Sequence, residues 1–172
     1  MMIKKWIREW VPSLAIAAAI SLFVNSYVAQ AMQVPTGSML PTIQIGDRLL
    51  VEKMVQWTDF EHGDIVVFWP PIEGNAERYV KRLIGLPGDT IEVKDGALYR
   101  NGDKVDEPYV TERMAYNFGP VTVPEDHYLF LGDNRNNSLD SHLWKTPFVH
   151  KKDIIGKAVF RMFPFDHMGT VS

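Results

Sequence analysis

Ser38 has the setting of a nucleophile, because a proline lies close to it on each side in the chain. Pro35 and Pro41 each hold their own φ at about −65° and push the preceding residue toward extended backbone. The loop around Ser38 is therefore predicted to be stiff, extended and non-helical. Gly37 allows another backbone to approach the serine closely. These features suit a serine that attacks an extended peptide, although an ordinary surface serine fits the same residues.

A serine hydroxyl is a weak nucleophile and needs a base, for which Lys81 is a candidate. In a strand, Tyr79, Lys81 and Leu83 share one face, which places the amine beside an aromatic and an aliphatic side chain. Apolar surroundings lower the pKa of a lysine because they disfavour its charged form. Because apolar and polar residues occur on both faces of this strand, the pattern does not decide whether Lys81 is buried or faces solvent. A Ser-His-Asp arrangement with His127 or His142 has no support from their spacing.

The stretch from Leu131 to Ser141 is densely polar. It does not match a calcium-binding loop, because Arg135 occupies the third ligand position and no glycine occupies the sixth. The tripeptide Asn136-Asn137-Ser138 has the pattern of a glycosylation site. A loop whose Asn, Asp and Ser side chains bond their own backbone explains the composition equally well.

Composition narrows the functional classes. The chain has 172 residues and 46% hydrophobic content, which suits one globular domain with a short accessory segment. A net charge of −3 without a basic stripe argues against nucleic acid as a partner. The absence of cysteine excludes thiol catalysis, and the five histidines form no metal-binding helix pattern, so neither a metal nor a cofactor is expected.

The N-terminal segment predicts a membrane anchor. No charged residue occurs from 11 to 46, and residues 11–31 are long and apolar enough to cross a bilayer as a helix. Lys4, Lys5 and Arg8 would keep residues 1–10 cytoplasmic and place residues 32–172 outside. A cleaved signal peptide ending at Ala29-Gln30-Ala31 is the alternative.

Beyond the anchor the sequence predicts a mainly β domain of antiparallel sheet. Apolar or alternating strands are expected at 48–53, 65–69, 78–85, 128–131 and 156–163. Asp95-Gly96 and Asn101-Gly102 predict two successive hairpins after residue 90. Residues 105–121 are expected to be irregular, and a short helix is expected near 141–145.

These motifs together resemble type I signal peptidase, the membrane-anchored serine protease that removes signal peptides from exported proteins. The resemblance covers most of the exported chain and is carried, in order, by residues 35–42, 46–48, 63–68, 79–82, 85–89 and 132–141. It implies a single N-terminal transmembrane helix followed by an antiparallel, coiled β-sheet catalytic domain of signal-peptidase type. The segment 95–125 would be a small insert, as in compact members with one anchor.

The resemblance also implies roles for individual residues. Ser38 would be the nucleophile and Lys81 the general base, a Ser-Lys variant of the Ser-His-Asp catalytic triad. The Thr36 hydroxyl and the Ser38 backbone N–H would form the oxyanion hole. Ser138 would orient the lysine, and Asp140 would be a structural carboxylate near the site.

Substrate binding is implied at shallow pockets that accept the small side chains of Ala-x-Ala sites. The walls of these pockets would be Val34, Pro35, Met39, Ile43, Tyr79 and Val80. One position departs from the family, which usually has arginine where this chain has His142, so the expected ion pair with Asp140 is in question.

The sequence thus predicts a single-pass enzyme of the plasma membrane with its catalytic domain on the outer face. Its partners would be signal-peptide-bearing precursors and membrane lipid, and its reaction would pass through an acyl-enzyme. Two alternatives are weighed. A self-cleaving Ser-Lys repressor-type protease shares the fold but lacks an anchor, and a catalytically inactive anchored β-domain would bind extended peptides without cleaving them.

Overall fold

The computed structural model of the chain describes residues 2–55, 57 and 59–171, with side chains from residue 10 onward. Helix α1 spans Met2–Phe23 and continues as a π-helical turn over Val24–Val28. The segment Trp10–Val28 is long and apolar enough to cross a bilayer, and none of it is buried against the domain. An apolar N-terminal helix is therefore present where the anchor is predicted.

The end of the predicted anchor segment differs from the structure. Residues 29–31, assigned to the anchor by their apolar content, belong to strand β1, Ala29–Gln33. This strand pairs with strand β2, Arg48–Glu52, so Ala31 lies opposite Leu50 and Met32 opposite Leu49. Pairing satisfies the backbone N–H and C=O groups without helix formation, which explains why apolar content alone misplaces the boundary.

The main sheet has eight strands in the order β1-β2-β11-β3-β4-β9-β10, with β12 added beside β11. All of its pairings are antiparallel. Register shifts interrupt the ladders of β11 with β2 and β3 and that of β4 with β9, and such bulges bend a sheet. The curled antiparallel sheet confirms the predicted fold class. Its strands are β2 Arg48–Glu52, β3 Ile65–Phe68, β4 Tyr79–Gly85, β9 His127–Leu131, β10 Val149–His150, β11 Ile154–Phe163 and β12 Gly169–Thr170.

A second sheet of four strands carries the two predicted hairpins, in the order β7-β6-β5-β8. Asp95 and Gly96, and likewise Asn101 and Gly102, have positive φ, as the turns of tight hairpins require. The strands are β5 Thr90–Lys94, β6 Ala97–Arg100, β7 Asp103–Lys104 and β8 Phe118–Thr122. β8 begins within the stretch 105–121, so the expectation of irregular structure is wrong for residues 118–121, and the pairing of β8 with β5 is interrupted by a register shift.

The short helix expected near residues 141–145 is wrong. Only a single turn forms there, in which the N–H groups of Leu143 and Trp144 donate to the Asp140 carbonyl. The Ser141 hydroxyl instead accepts a hydrogen bond from the backbone N–H of Phe130, at 3.0 Å. This bond ties the segment to β9 and replaces a helix with a turn. Two short 3₁₀ helices occur elsewhere, at Lys151–Asp153 and Phe165–His167.

Strand β4 connects the three hydrophobic clusters of the domain. Val80 belongs to the first, Leu83 to the second and Ile84 to the third. Lys81 and Arg82 therefore lie between packed layers, and both are buried. A strand that is fixed by packing at several positions holds such buried charges in one place.

Two truncated proteins distinguish the contribution of the N-terminal helix to folding from that of strand β1. We expect a protein lacking residues 1–28 to keep a folded β-domain, whereas one lacking residues 1–33 should lose β1 and expose the edge of β2. Burial of Met32 alone accounts for about 1.5–3 kcal/mol of unfolding free energy. Chemical denaturation of both proteins measures the difference. Equal unfolding free energies would show that β1 is not an integral part of the sheet.

Candidate active site

Ser38 lies in a turn that is anchored in the core. The Met39 side chain next to it is fully buried, and the backbone carbonyl of Met39 accepts a hydrogen bond from the Ile43 N–H at 2.9 Å. The Leu40 N–H donates to the Gly37 carbonyl at 3.2 Å. The predicted stiffness therefore comes from a bonded turn. The backbone is not extended through Ser38, because these local bonds close the chain on itself just after Pro35.

The amine of Lys81 donates a hydrogen bond to the Ser38 hydroxyl. Lys81 is 3% exposed, so the alternative in which it faces solvent is wrong. Its Nζ also lies 5.4 Å from the centre of the Tyr79 ring, on the face that alternation predicts. The Thr36 hydroxyl oxygen is 3.3 Å from that of Ser38. The structure thus brings Lys81 together with Thr36 and Ser38, from which it is distant in sequence.

Burial sets the protonation state of Lys81. Desolvation lowers the pKa of Lys81 from its ordinary value of 10.5 to about 8, against the opposing charges of Asp140 and Asp133. A substantial fraction of the amine is therefore neutral just above neutral pH. A neutral amine within hydrogen-bond reach of a hydroxyl is able to take its proton.

Asp133 pairs with Arg82, the buried charged residue that follows Lys81 on β4. Arg82 donates to both carboxylate oxygens of Asp133, at 2.8 and 2.7 Å, and the Thr42 hydroxyl donates to one of them at 2.5 Å. Arg82 and Asp133 are each 2% exposed. The bidentate Arg82–Asp133 pair joins β4 to the polar loop of residues 132–141. The bond from Thr42 joins the turn after Ser38 to the same loop. Sequence analysis gave neither residue a role, although a charged residue within an apolar strand indicates such a pair.

Asn134 connects the polar loop, residues 132–141, directly to the turn that contains Ser38. Its backbone N–H donates to the Ser38 carbonyl at 3.1 Å, and its side-chain amide donates to the Gly37 carbonyl, also at 3.1 Å. These bonds fix the backbone on which the Ser38 hydroxyl stands. Sequence analysis missed this function of Asn134, because no local pattern links two segments so distant in the chain.

Gly132 is the point where Ser138 and Ser38 come together. A Cβ atom at Gly132 would lie 2.3 Å from the Ser138 hydroxyl oxygen and 2.4 Å from the Ser38 carbonyl oxygen. Only glycine fits such an approach. The Ser138 hydroxyl is buried and has no hydrogen-bond partner within the described part of the chain. Ser138 is predicted to orient Lys81, but no hydrogen bond joins the two side chains in the described structure.

The Asp140 carboxylate holds the backbone at Gly132 in place. It is fully buried and accepts hydrogen bonds from the Gly132 N–H at 2.9 Å and from the His142 backbone N–H at 3.2 Å. The His142 ring nitrogen Nδ1 lies 2.6 Å from the same carboxylate. The ring also stacks on Tyr116, with centroids 3.9 Å apart. His142 thus takes the place of the expected arginine as the partner of Asp140.

The histidines stand apart from Ser38. His142 is bonded to Asp140, and the His127 ring is 2.7 Å from the Glu125 carbonyl oxygen. The described contacts of the Ser38 hydroxyl are with Lys81 and Thr36. Among the residues that the structure describes, no group of three or more histidine and carboxylate side chains could hold a metal ion.

A cavity of about 280 Å³ opens beside Ser38. Three of the six predicted substrate-binding residues line it, namely Pro35, Tyr79 and Val80. The other three, Val34, Met39 and Ile43, are buried in the hydrophobic cluster that also contains Val80, and they back the cavity wall without lining it. Sequence analysis missed four further residues of the wall: Glu77, Arg78, Asn137 and Leu139.

An antiparallel β-domain whose cleft holds a serine hydroxyl bonded to a buried amine has the layout of a serine hydrolase. The family model described as "Signal peptidase, peptidase S26" matches residues 7–163. The chain belongs to this family and is a serine endopeptidase, and the resemblance drawn from its motifs is confirmed.

Similar proteins cover most of the chain. "Probable signal peptidase I-2" of Synechocystis sp. is 44% identical over 91% of this chain and 73% of its own length. "Signal peptidase I S" of Bacillus subtilis is 40% identical over 96% of this chain and 94% of its own length. The crystal structure of a signal peptidase I from Enterococcus faecalis is similar at 35% identity and a TM-score of 0.50, over 58% of this chain and 97% of that one.

The pKa of Lys81 predicts how its replacement changes stability. The folded value of about 8 lies below the ordinary value of 10.5, so the unfolded chain binds more protons between them and stability rises with pH across that window. Below pH 8 the buried amine costs about 3 kcal/mol. Lys81→Met, which is apolar and of similar length, should therefore be at least as stable as the parent at pH 7.

Thermal melts of the parent and Lys81→Met at pH 7 and near pH 10.5 check this expectation. The advantage of Lys81→Met should shrink as the pH rises, because the parent loses its penalty there. Lys151→Met, at an exposed lysine, is the control and should show no such trend. A Lys81→Met protein clearly less stable than the parent at pH 7 would contradict the assignment of a costly buried amine.

Proposed function

We propose that this protein removes signal peptides from exported precursors, cutting after Ala-x-Ala-like sites with a Ser38–Lys81 dyad. The observation that carries the proposal is the hydrogen bond from a buried lysine amine to a serine hydroxyl at the wall of a cleft. The names of the relatives support the substrate class, since they are signal peptidases.

The first half of the reaction forms an acyl-enzyme. Neutral Lys81 takes the Ser38 proton as the hydroxyl oxygen attacks the carbonyl carbon of the scissile bond. The Ser38 N–H and the Thr36 hydroxyl donate to the oxyanion of the tetrahedral intermediate. The Lys81 ammonium then protonates the departing nitrogen, which becomes the N-terminus of the mature protein, and the ester to Ser38 remains.

The second half repeats the same proton transfers with water. Neutral Lys81 takes a proton from the water that attacks the ester, and it returns the proton to Ser38 as the signal peptide leaves. The buried hydroxyl of Ser138 has a free hydrogen-bonding capacity and serves as the group that orients the ammonium. Asp140 keeps Gly132 and therefore Ser138 in place.

The cleft supports a preference for small side chains. Pro35, Tyr79 and Val80 form its inner wall. Val34, Met39 and Ile43 are buried in the same hydrophobic cluster as Val80, so packed side chains back this wall. A shallow apolar pocket of this kind accepts a methyl group and excludes larger side chains.

The N-terminal helix supports a location in the plasma membrane. Relatives of the same family carry the segment too, since the matched region begins at residue 7. The basic residues before the helix favour a cytoplasmic N-terminus, which places the catalytic domain on the outer face with its precursors and the lipid surface. The alternative of an inactive peptide-binding domain gives no use for a buried lysine that destabilises the fold.

Single replacements of the dyad test the proposal. Ser38→Ala and Lys81→Ala should each abolish cleavage of an Ala-x-Ala precursor, and the double variant should be no worse, because residues that act as one unit are non-additive. Lys151→Ala, at an exposed lysine, is the matched control and should cleave normally. Cleavage rates of purified proteins in detergent measure the effect. Retention of more than a few per cent of activity in either single variant would refute the dyad.

Thr36 separates the oxyanion role from substrate binding. Thr36→Val removes the hydroxyl and keeps the shape, so kcat should fall by about 100-fold or more with little change in KM. Thr36→Ser retains a hydroxyl and should keep most of the parent's kcat. Steady-state kinetics on a soluble peptide measures both constants. A change confined to KM would place Thr36 in the substrate-binding wall instead.

A further inference from the structure

Glu77 and Arg78 are charged residues of the cleft wall that the reaction itself does not use. Both are exposed and line the cavity beside Ser38. Neither side chain has an ion-pair partner within the part of the chain that the structure describes. Two opposite, unpaired charges next to a peptide-binding cleft are available to a substrate.

One edge of β4 is open beside the cleft. β3 pairs with Tyr79 to Arg82 on one side of the strand. On the other side, β9 pairs only from Arg82 onward, so Tyr79 to Lys81 have no strand partner there within the described chain. An extended peptide can add to an open edge of this kind through its backbone, and side chains directly opposite each other then share a face.

The direction of the strand sets the alignment of such a peptide. Glu77 to Lys81 run toward the dyad, as do the residues of a substrate that precede the scissile bond, so the two segments are parallel. With the −1 residue level with Lys81, the −3 residue is level with Tyr79. The −4 residue is then level with Arg78 and the −5 residue with Glu77, at about 3.3 Å per residue.

The loop before β4 holds these charges at the cleft. The Glu77 N–H donates to the side-chain oxygen of Asn75 at 3.0 Å, and the Asn75 amide donates back to the Glu77 carbonyl at 3.4 Å. Burial, and secondly the nearby charge of Glu77, raise the pKa of the Tyr79 hydroxyl. The Glu77 carboxylate is therefore close to Tyr79, another residue of the cleft wall.

We propose that Arg78 and Glu77 are specificity-determining residues that select the charge of the substrate at −4 and −5. Arg78 favours an acidic side chain at −4, and Glu77 favours a basic one at −5. The inference rests on the proposed function, because it assumes that the residues before the scissile bond occupy this cleft. It adds a charge preference to the selection of small residues at −1 and −3.

The size of the effect follows from the exposure of both groups. Exposed ion pairs contribute only modestly to binding, and a like-charge pair disfavours binding by a similar amount. Exchanging aspartate for lysine at −4 should therefore change kcat/KM by about threefold to tenfold. The preference should weaken in high salt, which screens exposed charges.

The test uses the full chain in detergent and two peptides that differ only at −4, with alanine at −1 and −3. The parent should cleave the peptide with aspartate at −4 about threefold to tenfold better than the one with lysine. Arg78→Glu should invert the ratio, and Arg78→Gln should bring it close to one. Lys152→Glu makes the same change of net charge at an exposed position of the 3₁₀ helix and should keep the parent's ratio. The matching pair at −5 is tested with Glu77→Lys.

The outcomes distinguish this inference from the proposed function. If the parent cleaves both peptides equally, or if Arg78→Glu leaves its ratio unchanged, the charge selection is refuted while signal-peptide cleavage stands. If Lys152→Glu shifts the ratio as much as Arg78→Glu, the effect is one of overall charge and the inference is refuted as well. If the parent cleaves neither peptide, the proposed function fails and the inference fails with it.

Discussion

The burial of the Lys81 amine against the Ser38 hydroxyl is the constraint on which the rest of the structure depends. Burial lowers the pKa of the amine to about 8 and makes it available as a base near neutral pH, at the expense of stability. The arrangement must therefore be held by its surroundings. Strand β4 does this, because its side chains pack into three separate hydrophobic clusters on either side of the lysine.

The polar loop after β9 gives the serine an equally fixed position. Asn134 bonds the backbone at Gly37 and Ser38, and Gly132 lets the loop approach the Ser38 carbonyl more closely than any side chain would permit. Asp140 holds Gly132 through its N–H, and His142 holds Asp140. The Ser38–Lys81 pair is thus fixed by packing on the lysine side and by hydrogen bonds on the serine side.

Much of this architecture could be predicted from sequence where the cause is local. The hairpins at Asp95-Gly96 and Asn101-Gly102 follow from backbone requirements of the turns, and the strands follow from their apolar pattern. Two other features could not be predicted from the sequence, because each depends on a distant partner: the contact of Asn134 with Ser38 and the strand pairing of residues 29–31. The motif resemblance named Thr36, Ser38 and Lys81, which the structure brings together, but it did not separate residues that line the cleft, such as Val80, from those buried behind them.

Direct titration of Lys81 in the folded protein tests the central claim. Lysine labelled with ¹³C at Cε reports the charge of each amine by NMR, and the spectrum of Lys81→Met identifies the resonance. The account predicts a pKa of about 8 for Lys81. The kcat/KM for an Ala-x-Ala peptide should rise with pH through the same value. A Lys81 pKa near the ordinary 10.5, with activity already at its plateau at pH 7, would contradict it.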